Sequence, residues 1–505
     1  MREDWIEAAL GEAFETVTGN TPSKKDKDNY GSEIPFIKPP QINNNFLKTS
    51  AEFLSAKGKI KARILPINSV LVTCIGNLGR IGINKKEVAF NQQINAIKPI
   101  AGIDPKYTFY QAQSVSFRNQ LEKLSTSTTV ALVNKTSFNS VKFKIAPLPI
   151  QKAIVNKIEE LFSSLDSGIA DLKIAQEQLV IYRQAVLKKA FEGELTKEWR
   201  EKQTDLPSAY ELLEQIETGR QIFYNNQIEE WEIELKRWKE TGEVGKKPKK
   251  PRPLTIPDAP NNGHNERKWV IPNNWVWAQI GSLCFVTKLA GFEYTDYVNY
   301  DEDGDLPVLK AENAGTNGFK KTDFSKVKSE SVKILKRSQI FGGELLIVFV
   351  GAGTGNVAMV PFNQRYFLGP NIGMARPYFD LNSKYLELFL QSAFGKSLMM
   401  SAVKAVAQPS LSMGTIRQAP IAFPSLEEQH QIVQEIESRL SVCDTVEKDI
   451  ADSLEKSQAL RQSILKKAFE GKLLSEAEIA KCKADKNYEP ASVLLQKIKA
   501  EKKKK

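Results

Sequence analysis

The sequence predicts a mixed α/β (α+β) fold that occurs twice, each copy being an α/β domain followed by a long helix. The first observation behind this prediction is a repeated helical motif, because RQAVLKKAFEGEL at 183–195 returns as RQSILKKAFEGKL at 461–473. The second is a series of shorter matches upstream in an unchanged order, beginning at Trp5 and Trp275. The third is that both halves alternate short β-rich runs with Gly, Pro and Asn turns. We therefore expect a tandem internal duplication.

The matches divide the chain into domains, helical regions and a linker. Two α/β domains are expected at 1–148 and 271–423. Each leads into a helical region, at 149–242 and 424–505. Residues 243–270 are rich in Pro and Lys and are expected to link the halves. A chain of 505 residues is also too long for a single hydrophobic core.

Each helical region opens with about 44 residues of helical pattern that end at a glycine, Gly193 or Gly471. Apolar residues recur every seven positions, which predicts a seam on each helix and packing of the two helices as a coiled coil. The seam residues are Ile158, Leu165, Leu172, Leu179 and Val186 in the first helix and Ile436, Cys443, Ile450 and Ile464 in the second, where Ser457 interrupts the series.

The two long helices are expected to begin differently. The second begins with Ser425 three residues before Glu428, which is the spacing of a capping box. The first opens at Pro149 with three residues fewer than the second, and its cap is not evident.

Bulk composition argues against several classes of protein. The chain is 41% apolar and 26% charged, which is typical of globular proteins. It has neither an apolar signal core nor a run of about 18 apolar residues, so we expect no membrane span. Four scattered cysteines and only His264 and His430 argue against structural zinc or disulfides and favour a reducing cytoplasm. The net charge of +11 leaves a polyanionic partner open.

The segment VFVGAGTGN at 348–356 resembles the glycine-rich loop that holds S-adenosylmethionine or a dinucleotide in Rossmann-type folds. The corresponding TCIGNLGRIG of the first half has a different glycine spacing, so a β-turn explains these glycines better. The adenine-binding strings Asn-Pro-Pro-Tyr and Asp-Pro-Pro-Tyr do not occur. His264 falls in the expected linker, and His430 falls in the first turn of a helix. We therefore expect neither a catalytic residue nor a metal site.

Cationic residues recur at matched, turn-like positions of the two halves. The matched pairs are Lys38 with Lys310, Lys98 with Arg376, and Lys142 with Arg417. Polar residues that differ between the halves, as sequence-reading positions would, include Asn91, Gln93, Asn313 and Asn371. Lys and Arg neutralise phosphates, and Arg, Lys, Asn and Gln read base edges, so all of these residues are candidate DNA contacts. They are equally compatible with ordinary surface charges and loop residues.

The Trp-apolar-Gly starts, the IPFIK and LPVLK segments, and the long helices closing with LKKAFEG together resemble the specificity subunit of a type I DNA restriction–modification system. The resemblance implies that 1–148 and 271–423 are target-recognition domains, each reading one half of a bipartite, asymmetric site in double-stranded DNA. It implies long helices packed antiparallel, an approximate two-fold relation, and a location in a bacterial or archaeal cytoplasm.

The same resemblance implies the partners and cofactors. Two modification subunits would dock on the long helices and methylate adenine with S-adenosylmethionine, and restriction subunits would use ATP and Mg²⁺ for translocation and cleavage. This chain would bind no cofactor and catalyse nothing. Two alternatives are left open: a specificity module of a stand-alone or type IIB-like methyltransferase, and a methyltransferase in its own right that uses Gly351–Gly355.

Overall fold

A computed structural model describes residues 2–47, 50–126, 130–253, 270–400 and 410–504. His264 and most of the expected linker lie outside these ranges. The chain divides into two compact units, of which unit 1 contains Met1–Ala175 and Asp449–Lys505 and unit 2 contains Gln176–Lys448. Each unit therefore combines one α/β domain with parts of both long helices. No helix in the described ranges is long and apolar enough to cross a membrane.

In the α/β domain of unit 1, the described residues form eleven strands and five short α-helices. The strands are β1 (Ile6–Ala9), β2 (Thr16–Thr18), β3 (Tyr30–Ile37), β4 (Asn45–Leu47), β5 (Phe53–Leu54), β6 (Ile64–Leu65), β7 (Val70–Thr73), β8 (Ile81–Asn84), β9 (Val88–Phe90), β10 (Ile94–Ile97) and β11 (Lys142–Ile145). The helices are α1 (Leu10–Ala13), α2 (Ala56–Lys61), α3 (Pro105–Ala112), α4 (Val115–Lys123) and α5 (Lys135–Ser140).

These strands form a five-stranded sheet in the order β2-β10-β7-β8-β4, a four-stranded sheet in the order β5-β3-β9-β6, and the pair β1-β11. Most pairings are antiparallel, whereas β3 runs parallel to β9 and β4 runs parallel to β8. Strands β7 to β10 consist of buried residues, which explains their continuous apolar runs in the sequence.

Three helices follow the first domain: α6 (Leu148–Phe191), α7 (Lys197–Glu201) and α8 (Ala209–Glu240). The domain of unit 2 then repeats the plan. Its strands are β12 (Val276–Gln279), β13 (Cys284–Lys288), β14 (Leu306–Leu309), β15 (Ala314–Gly315), β16 (Gly318–Phe319), β17 (Lys326–Val327), β18 (Gln339–Ile340), β19 (Leu345–Val348), β20 (Val357–Met359), β21 (Tyr366–Leu368), β22 (Ile372–Pro377) and β23 (Pro420–Phe423). Its helices are α9 (Ile280–Leu283), α10 (Gly291–Tyr297), α11 (Ser383–Gln391), α12 (Ala393–Met400) and α13 (Met413–Gln418).

The sheets of unit 2 have the orders β13-β22-β19-β20, β17-β14-β21-β18, β12-β23 and β15-β16. The chain closes with α14 (Leu426–Phe469), α15 (Glu476–Lys483) and α16 (Ala491–Lys504). Most elements thus recur in the same order, apart from α2 in unit 1 and α10 and the β15-β16 pair in unit 2, so the predicted duplication is confirmed. One side-chain contact illustrates it: the Tyr107 hydroxyl donates to the Lys144 carbonyl at 3.1 Å, and the Tyr385 hydroxyl donates to the Ala422 carbonyl at 2.5 Å.

The repeat also corrects one predicted match. Helices α5 and α13, and strands β11 and β23, correspond at an offset of 278 residues, whereas the match of Lys142 with Arg417 assumes 275. Lys142 therefore corresponds to Pro420, and pairing it with Arg417 is wrong. The offset has already risen to 278 upstream of Lys142, because Val70 pairs with Ile97 in unit 1 and Leu345 pairs with Ala375 in unit 2, so unit 2 has three more residues between these strands.

That hairpin contains the glycines that resemble a cofactor loop. β19 and β20 are antiparallel, and the Gly355 amide donates to the Val348 carbonyl at 2.9 Å across the turn. Gly351 and Gly355 adopt φ of 101° and 85°, which favour glycine. A Rossmann loop leads instead into a helix. The β-turn interpretation is therefore confirmed, and Gly76 occupies the corresponding turn of unit 1 with φ of 77°.

Both long helices have 44 residues, so the expectation that the first is shorter is wrong. A buried glutamine anchors the first turn of each. Gln151 Nε2 donates to the Ala146 carbonyl at 2.7 Å, and its Oε1 accepts from the Asp104 amide at 2.8 Å. Gln429 bonds the Pro424 carbonyl and the Asn382 amide in the same way. Asp104 and Asn382 cap α3 and α11, so each glutamine ties a long helix to a domain helix.

Only half of the predicted capping box forms at the start of α14. Ser425 Oγ accepts from the Glu428 amide at 3.3 Å. The buried Glu428 carboxylate turns instead to Trp275 Nε1 at 2.9 Å and Thr196 Oγ1 at 2.8 Å, and it pairs with Arg200. A charge this deeply buried requires such partners, which the capping box alone would not provide.

The end of each long helix packs on the domain of the other repeat. In unit 2 the Phe191 ring of α6 lies 5.7 Å from that of Tyr385. In unit 1 the Phe469 ring of α14 lies 5.3 Å from that of Tyr107. These phenylalanines belong to the repeated LKKAFEG motif. The repeated motif therefore anchors the C-terminal end of each long helix to the α/β domain of the other repeat.

Candidate nucleic-acid interface

Lys38 and Lys310 occupy equivalent positions after β3 and β14, two strands that each run parallel to a neighbour. The Lys38 amide donates to Gln41 Oε1 at 2.8 Å, and the Lys310 amide donates to Asn313 Oδ1 at 2.8 Å. Each lysine thus opens one turn of 3₁₀ helix, which ends the strand. The predicted equivalence of the two lysines is confirmed.

Their ammonium groups are engaged within their own units. Lys38 forms an ion pair with Glu52. Lys310 Nζ donates to Ser325 Oγ at 2.6 Å and lies 4.6 Å from the Tyr300 ring centroid. Both side chains keep some exposure, and DNA contact by them stays a prediction.

Lys98 and Arg376 are also equivalent, at the ends of β10 and β22, but their surroundings differ. Lys98 Nζ donates to Glu15 Oε1 at 2.5 Å at the surface. Arg376 Nε donates to Glu344 Oε1 at 3.1 Å, and its guanidinium also reaches the Gln339 carbonyl. Because the Glu344 side chain is only 3% exposed, Arg376 serves first as the counter-charge of a buried carboxylate.

Like Arg376, Arg417 donates to a backbone carbonyl: its Nη2 lies 2.8 Å from the Val286 carbonyl oxygen. Lys142, in contrast, is exposed, and its ammonium has no ion-pair partner among the described residues. It lines a cavity of about 630 Å³ in unit 1 together with Lys123, Lys144 and Lys466. Glu7 and Glu470 also line it, so the lysines exceed the carboxylates by two, and this net positive charge suits a phosphate.

The predicted sequence-reading amides separate into engaged and exposed groups. Asn313 is buried, and its Nδ2 donates to the Lys320 carbonyl at 3.0 Å and to Thr322 Oγ1 at 2.9 Å. Asn91 Nδ2 donates to Gln93 Oε1 at 3.0 Å within one turn. Asn371 is exposed and adopts φ of 63°, which asparagine tolerates in turns. Asn371 is therefore the member of this set most available to a ligand.

Two exposed lysines were missed by the sequence analysis. Lys85 Nζ lies 4.6 Å from the Phe46 ring centroid, and Lys288 Nζ lies 4.9 Å from that of Phe349. Neither forms an ion pair within the described ranges. A lysine over an aromatic ring can present charge to a phosphate while the ring remains beside it. No sequence signal marks them, because tertiary packing creates each lysine–ring contact.

The predicted seam residues of the two long helices are all buried or half-buried. Ile158 and Val186 are buried, as are Ile436, Cys443, Ile450 and Ile464. Leu165, Leu172 and Leu179 are half-buried. Within unit 1, Arg461 of α14 pairs with Asp166 of α6; within unit 2, Arg183 of α6 pairs with Asp444 of α14. Asp166 precedes Arg183 on α6, whereas its partner Arg461 follows Asp444 on α14, so the two helices run antiparallel.

The described residues contain no cluster of His, Cys, Asp or Glu that could hold a metal ion. The four cysteines are free. Burial raises the pKa of Cys74 and of Cys284 to about 12, so neither thiol is a nucleophile near neutral pH. His430 lies at the surface with Nδ1 3.0 Å from Asn382 Nδ2.

A family model described as the type I restriction modification DNA specificity domain matches the chain twice, at residues 2–172 and 272–456. The EcoKI specificity subunit of Escherichia coli K12 is 23% identical to the chain over 99% of the chain and 96% of that subunit. The StySPI specificity subunit of Salmonella potsdam is 24% identical over 99% of the chain and 96% of that subunit.

Two solved structures share the fold. One was determined in a study of complex assembly and conformational transition of the type I R-M system; it covers 94% of this chain and 99% of its own, with a TM-score of 0.62 and 16% identity. The other is the HsdS subunit of Thermoanaerobacter tengcongensis, which covers 94% of this chain and 98% of its own, with a TM-score of 0.54 and 16% identity. At such identity the likeness concerns the fold alone.

Proposed function

The chain belongs to the type I restriction–modification DNA specificity family, and on that premise we propose that its two domains each read one half of a bipartite DNA site. The observation that carries the proposal is the duplication itself. Each repeat contains a complete α/β domain, and the family model matches each repeat separately. Two independent domains in one chain suit two separated blocks of sequence.

We propose that exposed groups of the two domains contact the DNA. Lys85, Lys142 and Lys288 carry charges without ion-pair partners among the described residues, and phosphates attract such charges. Asn371 is an exposed amide in the turn before β22. Phosphate contacts would position the domains, and amides of this kind would read base edges.

Partner subunits are proposed to dock on the outer faces of α6 and α14. The seam residues are turned inward, so the docking surface requires other apolar groups. Several large apolar side chains of these helices are exposed, including Val180, Ile181, Tyr182, Val442 and Leu460. Exposed apolar side chains on a helix favour protein contacts. Two modification subunits using S-adenosylmethionine would bind there, and restriction subunits with ATP and Mg²⁺ would complete a cleaving complex.

The chain itself is proposed to have no catalytic role. In support, the glycine segment is a β-hairpin, and the cysteines Cys74 and Cys284 are buried with raised pKa values. The alternative of a methyltransferase in its own right predicts binding of S-adenosylmethionine by the purified chain. Isothermal titration calorimetry would detect that binding, and its presence would favour the alternative.

The deciding experiment is a map of adenine methylation in cells with and without this gene. The proposal predicts one bipartite motif that disappears with the gene. Exchanging residues 271–423 for the corresponding domain of a relative should then change one block of the motif and leave the other unchanged. A motif that persists without the gene, or a change in both blocks, would contradict the proposal.

A further inference from the structure

An aromatic pair fills the angle between α3 and the long helices in unit 1. The Tyr110 ring lies 5.8 Å from the Phe162 ring in an edge-to-face arrangement, and both side chains are buried. The Tyr110 hydroxyl donates to Glu159 Oε1 at 3.2 Å. Burial raises the pKa of Tyr110, so the hydroxyl remains a donor across the physiological range. Lys106 Nζ completes the site by donating to both Glu159 oxygens at 2.7 and 2.9 Å.

The same positions of unit 2 lack both rings. At the offset of 278 residues, Tyr110 corresponds to Leu388, Phe162 to Leu440 and Glu159 to Glu437. A cavity of about 610 Å³ lies there, lined by these three residues and by Leu179, Leu187 and Asn317 among others. Both repeats thus keep the glutamate, whereas only unit 1 has the two aromatic side chains beside it.

The lysine of the site has also changed partner. Lys384, which corresponds to Lys106, donates to Glu387 Oε2 at 2.6 Å. Glu387 takes the place of Phe109 and is buried, so it holds the lysine. No ion pair or hydrogen bond within the described ranges reaches the Glu437 carboxylate. Nearby, Arg183 serves two carboxylates, with Asp444 at 2.6 Å and Glu447 at 3.0 Å. Lys384 and Arg183 line the cavity as well, each paired with a carboxylate, so the cavity combines leucine side chains with one carboxylate, Glu437, that has no cation partner among the described residues.

We propose that this cavity is a docking slot for a tyrosine side chain of a partner polypeptide, with a basic residue beside the tyrosine. Tyr110 in unit 1 is the template for the bound tyrosine. By analogy, the ring of the partner tyrosine packs against Leu388 and Leu440, and its hydroxyl donates to Glu437. The Glu437 carboxylate selects the adjacent lysine or arginine through charge complementarity, as Glu159 accepts from both Tyr110 and Lys106 in unit 1. The proposal rests on the proposed function in that the polypeptide is a partner subunit. The consequence is that the two repeats offer partners unequal surfaces.

The test uses three capped dipeptides and the full chain. N-acetyl-Tyr-Lys-amide should bind saturably in a calorimetric or NMR titration, and N-acetyl-Ala-Lys-amide should not. N-acetyl-Tyr-Glu-amide should bind about fivefold more weakly than the lysine peptide, because one solvent-exposed charge contact is worth on the order of that ratio. The Glu437→Leu variant should weaken the Tyr-Lys peptide by a similar factor, since it removes the acceptor.

The control variant is Leu388→Tyr with Leu440→Phe, which reproduces the filled site of unit 1. It should abolish peptide binding while circular dichroism remains unchanged. If the double variant fails to fold, Leu388→Tyr alone provides the same test. Equal binding of the Ala-Lys and Tyr-Lys peptides, or binding that survives filling of the slot, would overturn the proposal. Peptide binding is measured without DNA, so its failure is distinguishable from a failure of the specificity role.

Discussion

Arg183 Nη2 donates to Asp444 Oδ1 at 2.6 Å, and this contact occurs a second time as Arg461 with Asp166. Arg183 corresponds to Arg461 and Asp444 to Asp166 at the offset of the repeat, so each unit contains one copy of the same ion pair. The hydrogen bond to Asp444 raises the pKa of Arg183. The two copies also define the register of the antiparallel helices, because each arginine pairs with the aspartate at the equivalent position of the other repeat.

The two copies should differ in strength. Arg461 also lies 4.6 Å from the Phe162 ring, whereas Leu440 occupies the corresponding place beside Arg183. Each ion pair is partly exposed and contributes up to about 1 kcal/mol, and the ring adds about 0.5–1 kcal/mol to the Arg461 copy. Arg183 has a second carboxylate partner, Glu447 at 3.0 Å, so the comparison is made in a Glu447→Ala background. In that background Arg461→Ala should lower the free energy of unfolding more than Arg183→Ala in urea titrations. Equal losses would show that the ring contact adds nothing.

The tryptophans at the start of the two domains should respond differently to substitution. Trp275 Nε1 donates to Glu428, but Ile150 replaces that glutamate in the first repeat, and Trp5 Nε1 is buried without a partner in the described structure. Trp275→Phe removes one donor from a buried carboxylate and should cost about 1–3 kcal/mol beyond the loss of ring size. Trp5→Phe loses ring size only. Thermal unfolding of both variants compares them, and an equal loss of stability would contradict the argument.

Alanine substitution of the exposed lysines should weaken DNA binding, whereas substitution of Arg376 should mainly lower stability. Lys142→Ala and Lys288→Ala should each weaken binding and lower the log–log salt slope by about 0.9, the value for one phosphate contact. Arg376→Ala leaves Glu344 buried without its counter-charge and should cost about 3 kcal/mol of stability. A salt slope unchanged in both lysine variants would show that these lysines do not face DNA.

The lengths of the long helices should set the gap in the recognised site. Four residues inserted after Ala175 lengthen α6 by about 6 Å, nearly two base-pair rises of 3.4 Å. Inserted alone, they displace Arg183 from Asp444 or Asp166 from Arg461, and stability should fall. A second insertion of four residues after Asp452 of α14 restores equal spacing of both ion pairs.

The doubly inserted chain should direct methylation to the same two blocks with a longer gap. Methylation mapping with the modification partners measures the gap. A folded, active double variant that retains the original gap would show that the helices do not determine the spacing.

Thiol reactivity should follow burial. Desolvation raises the pKa of Cys74 and Cys284 to about 12, and Cys443 is buried in the seam. Cys482 is half-buried, although burial raises its pKa as well. Because thiolates are the reactive form, a chromogenic disulfide reagent at pH 8 should modify Cys482 first and the other three only on unfolding. Rapid modification of the Cys482→Ser variant would contradict this order.

Sequence alone determined the features that depend on local pattern. The duplication, the 44-residue helices and their heptad seams follow from repeats and periodicity, which each stretch of chain carries by itself. The glycine hairpin at 348–356 was also predictable, because comparing the two repeats excluded a Rossmann loop. The start of α6 was not, since its anchor is the buried Gln151, whose partner at Asp104 lies far away in sequence.

Only the tertiary structure decided which side chains are available. Matched cations such as Lys98 and Arg376 look alike in sequence, but Arg376 pairs with Glu344, a buried carboxylate just before β19. Lys142 corresponds to Pro420 rather than to Arg417, because Lys142 pairs with Ala9 and Pro420 pairs with Gln279, and only this strand pairing reveals the equivalence. The sequence also did not predict that the end of each long helix packs on the domain of the other repeat, as Phe191 does on Tyr385 and Phe469 on Tyr107. Such contacts join residues far apart in the chain, and no periodicity records them.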